Sequence, residues 1–348
     1  APLKPPDHPV PSGERQIARL TLAALERAGF AAEVASPFRS LEKAGEGDAQ
    51  ARLIEEAEGE AKRVIATLAP DPPAAWLTYH SYYKAPDLIG PAVAGALSIP
   101  YLISEPSHAP KRMTGPWARF GAANLAALTA ADRLLWTTAR DRPALAALVP
   151  DRLTHLPAFV DPGPDPAPRG AGGPLRLLTV AMMRAGDKLA SYRALATALG
   201  CLGGIDWRLT VVGDGRARAE VEAALAPLGP RVTLIGARPV EAVRAIYEAH
   251  DVFLWPGIGE GIGMVYLEAM AAGLPVVAEA HPAPADLVPG PLPPPGDAEA
   301  FAAAICALAD PARRAEAAAA ARAHVLARHS IGAAAATLAR VIAEVRAR

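Results

Sequence analysis

The stretch VFLWPGIGEGIGMVYLEAMAAGLPVVA, residues 252–278, decides the fold. VFLWP, residues 252–256, reads as a buried strand. A glycine-rich turn with Gly261 and Gly263 then lies between two carboxylates, Glu260 and Glu268, eight positions apart. The run closes on Gly273-Leu274-Pro275 and the apolar pair Val276-Val277. The order is therefore strand, glycine-rich loop, short helix, strand. Such a loop opens onto the carboxyl edge of a parallel sheet, where doubly wound folds bind ligands. The helix start near Ile262 and Gly263 offers free backbone N–H groups to an anion. Glu260 can meet a sugar from the loop. Glu268, about two turns into the helix, can accept hydrogen bonds from a vicinal diol such as a ribose. Two glutamates at this spacing are common as solvated helix positions, so the whole run carries the reading.

Upstream of this run the same alternation repeats. LRLLTVA (175–181), WRLTVVG (207–213) and RVTLIG (231–236) read as strands, with helical patterns over 188–200, 216–228 and 239–249 between them. Residues 161–174, DPGPDPAPRGAGGP, form a proline/glycine linker. Before it, helical patterns cover 14–29, 50–67 and about 117–130, and FAAEVAS (30–36), AAWLTYH (74–80), PYLIS (100–104) and RLLWTT (133–138) read as strands. The final segment spaces Ile331, Ala335, Leu338, Ile342 and Val345 as one helical face. The sequence thus predicts an α/β chain of two Rossmann-like, doubly wound domains, residues 1–160 and 175–328. Residues 1–12 are too rich in proline for the buried strand that should open the first half. A short apolar strand and the initiator Met are expected upstream of Ala1.

Composition narrows the function. The 348 residues carry a formal net charge of −1, which gives no electrostatic case for nucleic acid. Two cysteines, Cys201 and Cys306, make neither a disulfide framework nor a metal cluster. No run reaches the roughly 18 apolar residues of a membrane span. A cytoplasmic protein is expected, with contact at the inner membrane surface still compatible.

The run 260–278 resembles the Glu-x7-Glu donor-site motif of retaining GT-B glycosyltransferases of family four, with Ile262 where an aromatic is common. The resemblance implies two Rossmann-like domains facing across a cleft, and a last helix (329–348) that crosses back to the first domain. It implies transfer of a sugar from a nucleoside diphosphate to a hydroxyl acceptor with the anomeric configuration kept. VAMMRAGDKLASY resembles the family segment whose Arg and Lys grip the diphosphate, here Arg184 and Lys188; Leu189 stands where the family has glycine. The chain has no Asp-x-Asp in a strand-end loop, so these cations, and no metal or other cofactor, should absorb the leaving charge. VVGDGRA (211–217) places Gly213 beneath the nucleotide, and IGARPVE (235–241) offers Gly236, Arg238 and Val240 to the base. By the same resemblance Gly261, Ile262, Gly263, Met264 and Val265 line the donor, Gly13 approaches the diphosphate, and Arg15 is its nearest cation.

The first domain should hold the acceptor, a sugar or a lipid-linked intermediate. His108, after PYLISEPS, falls near the family histidine that meets the donor sugar. His80 and Glu105, at two strand ends, are acceptor candidates, although a lone His is more often packed or at the surface. Lys111 and Arg112, in KRMTGPWARF (111–120), could meet an anionic acceptor or a membrane surface, or be solvated charges on a capped helix. The alternatives are a non-catalytic nucleotide-sugar-binding protein, a nucleotide-sugar 2-epimerase on the same fold, and an NAD enzyme built on VVGDGRA, which lacks the third glycine.

Overall fold

The computed structural model describes residues 1–9, 12–167, 169 and 172–347, without the side chain of Val240. It contains two compact units: Ala1–Ala158 with Ile331–Arg348, and Phe159–Ser330.

Unit 1 opens with α1 (Gly13–Arg27) and α2 (Gly47–Leu68). Then follow β1 (Trp76–Tyr79), α3 (Gly90–Leu97), β2 (Tyr101–Ser104), α4 (Ala118–Ala130), β3 (Arg133–Trp136), α5 (Arg142–Leu148) and β4 (Leu153–His155). The four strands lie in chain order in one parallel sheet. Tyr101, Ile103 and Leu134 of that sheet pack with Ala127, Leu128 and Leu145 of α4 and α5. A second cluster joins Ala57, Ala61 and Val64 of α2 to Ile89 and Val93. Asp87 is buried here, accepting hydrogen bonds from Thr78, Tyr101 and the N–H groups of Ile89 and Gly90.

Residues 30–36 do not form the expected strand. Gly29 turns with φ 90° and Phe30 N–H closes on the Leu25 carbonyl. The chain then runs along α2 as an extended segment, held by Ser36 on Glu60 and by Arg63 on the Ala35 carbonyl. Its alternating residues are mostly small, and Val34 is 46% exposed, so no apolar face holds the segment on a sheet.

Unit 2 contains β5 (Leu175–Val180), α6 (Asp187–Gly200), β6 (Trp207–Val212), α7 (Arg218–Leu225), β7 (Val232–Gly236) and α8 (Val240–Glu248). It continues with β8 (Val252–Leu254), α9 (Met264–Ala271), β9 (Val276–Val277), α10 (Pro282–Leu287), α11 (Ala298–Ala307) and α12 (Pro311–His324). All five strands are parallel, in the order β7-β6-β5-β8-β9. Numbered within the unit this is 3-2-1-4-5, the doubly wound order, and its direction reverses between β5 and β8. Leu177, Leu178, Val252, Phe253 and Leu254 are fully buried, as strands covered on both faces require.

Three arginines fasten the proline/glycine stretch to unit 2. Arg244 donates to the Pro162 and Pro164 carbonyls, and Arg169 to those of Gly273 and Ala272. Arg322, 11% exposed at its side chain, pairs with Asp165 and donates to the Ala271 carbonyl. The last helix, α13 (Ile331–Arg346), returns to unit 1 and packs on α1. Among the described residues, no helix is long and apolar enough to cross a membrane.

Candidate active site

The loops after β5 and β8 flank the switch point of the unit 2 sheet. The loop after β5 is built on close backbone approach. Met183 N–H donates to the Asp214 carbonyl at 2.9 Å, Ala217 N–H to the Met183 carbonyl, and Gly213 N–H to the Gly236 carbonyl at 3.0 Å. A Cβ on Gly213 would lie 1.9 Å from the Ala181 carbonyl oxygen, at a φ of 147° that side chains rarely adopt. Gly213→Ala is therefore expected to lower stability by about 3 kcal/mol, since a backbone obstacle and a strained φ coincide. Denaturant unfolding checks this; an unchanged midpoint would show that the three loops are not stitched as described.

The loop after β8 meets α6. Ile258 N–H donates to the Ser191 hydroxyl at 3.1 Å, and a Cβ on Gly259 would collide with the Asp187 carboxylate. This brings Glu260 and Lys188, 72 positions apart in sequence, into an ion pair. The same Glu260 oxygen, Oε1, accepts from Trp255 Nε1 at 2.7 Å, and the Lys188 ammonium lies 5.3 Å from the centre of that ring. Trp255 is fully buried. Two donors thus fix one oxygen of Glu260, and the carboxylate keeps its second for a ligand. Arg184 is exposed, three residues before α6, and its guanidinium has no partner among the described residues.

Gly263, with φ 86°, caps α9 without a side-chain hydrogen bond. The N–H groups of Gly261, Ile262, Gly263, Met264 and Val265 make no backbone hydrogen bond among the described residues. Five donors at a helix start form a ready anion site. Within α9, Glu268 Oε2 accepts from the buried Tyr247 hydroxyl at 3.2 Å. Burial pushes the Glu268 carboxyl up, and the Tyr247 hydrogen bond holds it partly down.

Unit 1 gathers a second group at its own carboxyl edge. His80 Nδ1 lies 2.8 Å from Glu14 Oε2 and 3.6 Å from Glu105 Oε1. The Tyr79 hydroxyl donates to the same Glu14 oxygen at 3.1 Å. His80 and Glu105 end β1 and β2 in the left-handed region, at φ 57° and 53°. Burial alone would lower the His80 pKa, but the carboxylates of Glu105 and Glu14 outweigh it and raise the imidazole to about 9. Burial raises Glu105 to about 7 against the opposing imidazole.

Other sequence candidates stand apart. Among the described residues no hydrogen bond or ion pair joins the His108 side chain to the His80 group, and burial lowers its pKa. Gly13 begins α1 in open space, so nothing there demands glycine. The Arg15 guanidinium donates one hydrogen bond, from Nη1 to the His8 carbonyl at 3.0 Å. Arg238 is exposed beyond β7; Val240 begins α8, with its side chain outside the described residues. Lys111 is exposed, whereas Arg112 packs 5.0 Å over the Tyr83 ring. Trp117 and Phe120 are buried in unit 1, so this segment presents no aromatic residue to a membrane surface.

Several contributors escaped sequence reading. Trp255 stood only as a strand residue, Tyr247 as a helix residue, and Glu14 between Gly13 and Arg15. Glu279 is buried, 2.9 Å from His281; burial, and after it the charges of Glu260 and Glu279, raises the Tyr266 hydroxyl. For Trp255 the available signal was an aromatic residue directly at a parallel strand's carboxyl end; Tyr247 and Glu14 lie within helices and carried none.

Residues 176–310 match the family model described as "Glycosyl transferases group 1". The chain is similar to the amylovoran biosynthesis glycosyltransferase AmsK of Erwinia amylovora, 34% identical over 151 residues. That match covers 39% of this chain and 36% of AmsK, so the chain spans about a third of that relative's length. Its fold resembles Anabaena Alr3699/HepE, solved in complex with UDP, at TM-score 0.65 and 17% identity over 82% of each chain. It also resembles sucrose-phosphate synthase of Thermosynechococcus elongatus, at TM-score 0.64 and 23% identity over 90% of this chain and 82% of that one. Residues 176–310 thus form a glycosyl transferases group 1 domain, carried on a chain with the GT-B fold of two Rossmann-like units.

Proposed function

We propose that the chain is a retaining, metal-independent glycosyltransferase that moves a sugar from a nucleoside diphosphate to a hydroxyl acceptor. The observation that carries this reading is the Lys188–Glu260 pair at the switch point, beside the five free N–H groups that open α9. The diphosphate occupies those N–H groups and faces Arg184 and Lys188, which stabilise charge as the glycosidic bond breaks. Glu260 orients the sugar through its free oxygen. Glu268 accepts the ribose diol, and the loops ending at Gly213 and Gly236 lie beneath nucleotide and base. The departing phosphate takes the acceptor's proton on the face it leaves, which keeps the anomeric configuration. Unit 1 supplies the acceptor groups, with His80 and Glu105 the foremost. The acceptor is a sugar or a lipid-linked intermediate in polysaccharide or glycolipid synthesis, and the likeness to an amylovoran biosynthesis glycosyltransferase favours the polysaccharide.

The test is release of nucleoside diphosphate from a panel of sugar nucleotides, with product configuration read from anomeric NMR couplings. Retention, insensitive to chelator, is expected; inversion, or no turnover of any donor, contradicts the reading.

Glu268 makes donor binding depend on pH. The diol donates to the carboxylate, so the bound form excludes the proton. Affinity is therefore full above the raised Glu268 pKa and falls as pH drops through it. Because burial raises the Glu268 carboxyl against the Tyr247 hydrogen bond, the loss should begin above the ordinary glutamate range. Calorimetric titration of the nucleoside diphosphate across pH, for the wild type and Glu268→Gln, checks this; the same pH profile in both argues against ribose recognition by Glu268.

A further inference from the structure

We propose that Glu14, His80 and Glu105 form a binding site for one divalent transition-metal cation at the carboxyl edge of the unit 1 sheet. The three residues come from the first turn of α1 and from the ends of β1 and β2. One oxygen from each glutamate and one ring nitrogen of His80 lie within 4.8 Å of one another. Nδ1 faces both carboxylates, at 2.8 and 3.6 Å. A single proton on Nδ1 can serve only one of them, whereas a metal ion can bond all three atoms.

The spacings from His80 to each carboxylate suit such an ion. Metal bonds of about 2.0–2.2 Å to nitrogen and oxygen, diverging by roughly 80–120°, place ligand atoms about 2.8–3.6 Å apart. Two carboxylates balance the ion's double charge and leave the imidazole neutral. One imidazole with two carboxylates suits zinc or manganese better than calcium, which takes more oxygen ligands. The Tyr79 hydroxyl on Glu14 is the outer partner that fixes a ligand's orientation. Backbone bonds hold the other two ligands in place: His80 N–H to the Ser104 carbonyl at 2.8 Å, and Glu105 N–H to the Leu135 carbonyl at 2.9 Å. The side chains of His80 and Glu105 are each 15% exposed and that of Glu14 33%, so the Glu14 side of the group is the one open to solvent.

All three ligands belong to unit 1, and none is among the donor residues of unit 2. The proposal leaves the diphosphate to Arg184 and Lys188, and it bears on the transferase reading at one point: an ion held by His80 and Glu105 would itself stand where those two side chains meet the acceptor. An ion here ties α1 to two strand ends and stabilises the fold by mass action.

The test uses the full chain, stripped with chelator. It is titrated with Co²⁺ by visible absorption and with Zn²⁺ by calorimetry, with melting followed in parallel. One saturable equivalent and a raised melting temperature are expected. Glu14→Gln and Glu105→Gln should each weaken binding by at least about tenfold, while exposed Glu46→Gln leaves it unchanged. Ion-free melting of each variant separates a lost ligand from a lost fold. Should Glu105→Gln not fold, the more exposed Glu14→Gln carries the test. Absence of saturable binding to the wild type, or unchanged binding in Glu14→Gln, overturns the proposal.

Discussion

Glu260→Gln is expected to lower sugar transfer by about 10²–10³-fold while leaving the fold intact. One oxygen of Glu260 holds Lys188 and the indole N–H of fully buried Trp255. The amide keeps an acceptor for Trp255, so the indole is not stranded. It removes the charge that holds the Lys188 ammonium in place, and it replaces an acceptor oxygen that faces the sugar. Both losses matter most in the transition state, so kcat should fall more than KM rises. Glu260→Ala should also leave the Trp255 N–H unpaired in the core, a cost of about 1–3 kcal/mol. The measurement is steady-state transfer beside thermal melting for both variants. Unchanged kcat in Glu260→Gln would remove Glu260 from the site.

Arg184→Ala is expected to cost about 10²-fold in kcat with almost no change in melting temperature. Its guanidinium is exposed and has no partner among the described residues, so truncation removes no structural contact. Surface changes of this kind are typically within about 0.5 kcal/mol. The backbone beneath it is fixed: Met183 N–H is bonded to the Asp214 carbonyl, and Leu189 N–H to that of Arg184. A fixed loop bearing a free cation is a place where charge can be met as it develops on a leaving diphosphate. Lys188 differs, because it is already paired with Glu260. Arg184→Lys should recover part of the loss, since the charge returns without the planar fork. Full activity in Arg184→Ala would leave the diphosphate without its principal cation and contradict the mechanism.

The two halves of the chain differ in how far the sequence discloses them. In unit 2 the signals are local. Val252–Leu254, the glycines that follow and the helix at Met264 are read in order, because a strand, a turn and a helix start each leave a pattern within a few residues. The Gly213 position is legible for the same reason: its conformation and the approach of Ala181 admit no side chain. The partners of the site are not local. Lys188 with Glu260, and Tyr247 with Glu268, depend on strand order, and β5 lying beside β8 is a property of the folded sheet. In unit 1 the segment 30–36 shows the limit of periodicity, since alternation of small residues without a sheet to pack on leaves extended chain. His80 and Glu105 were legible singly as residues at strand ends, but Glu14 and the grouping of the three were not. The three are far apart in sequence, and the left-handed φ at His80 and Glu105 has no glycine to announce it.

The central claim is that unit 2 grips a nucleoside diphosphate sugar through the α9 N-terminus and Glu268. Thermal melting of the wild type and of Glu268→Ala, with UDP, GDP, ADP, CMP, their sugar conjugates and NAD, tests it most directly. A ligand that binds only the native state raises the melting temperature by mass action. One nucleoside diphosphate should raise it in the wild type, and Glu268→Ala should abolish the rise. A folded wild type that responds to none of these ligands, or a Glu268→Ala variant that responds equally, would contradict the account.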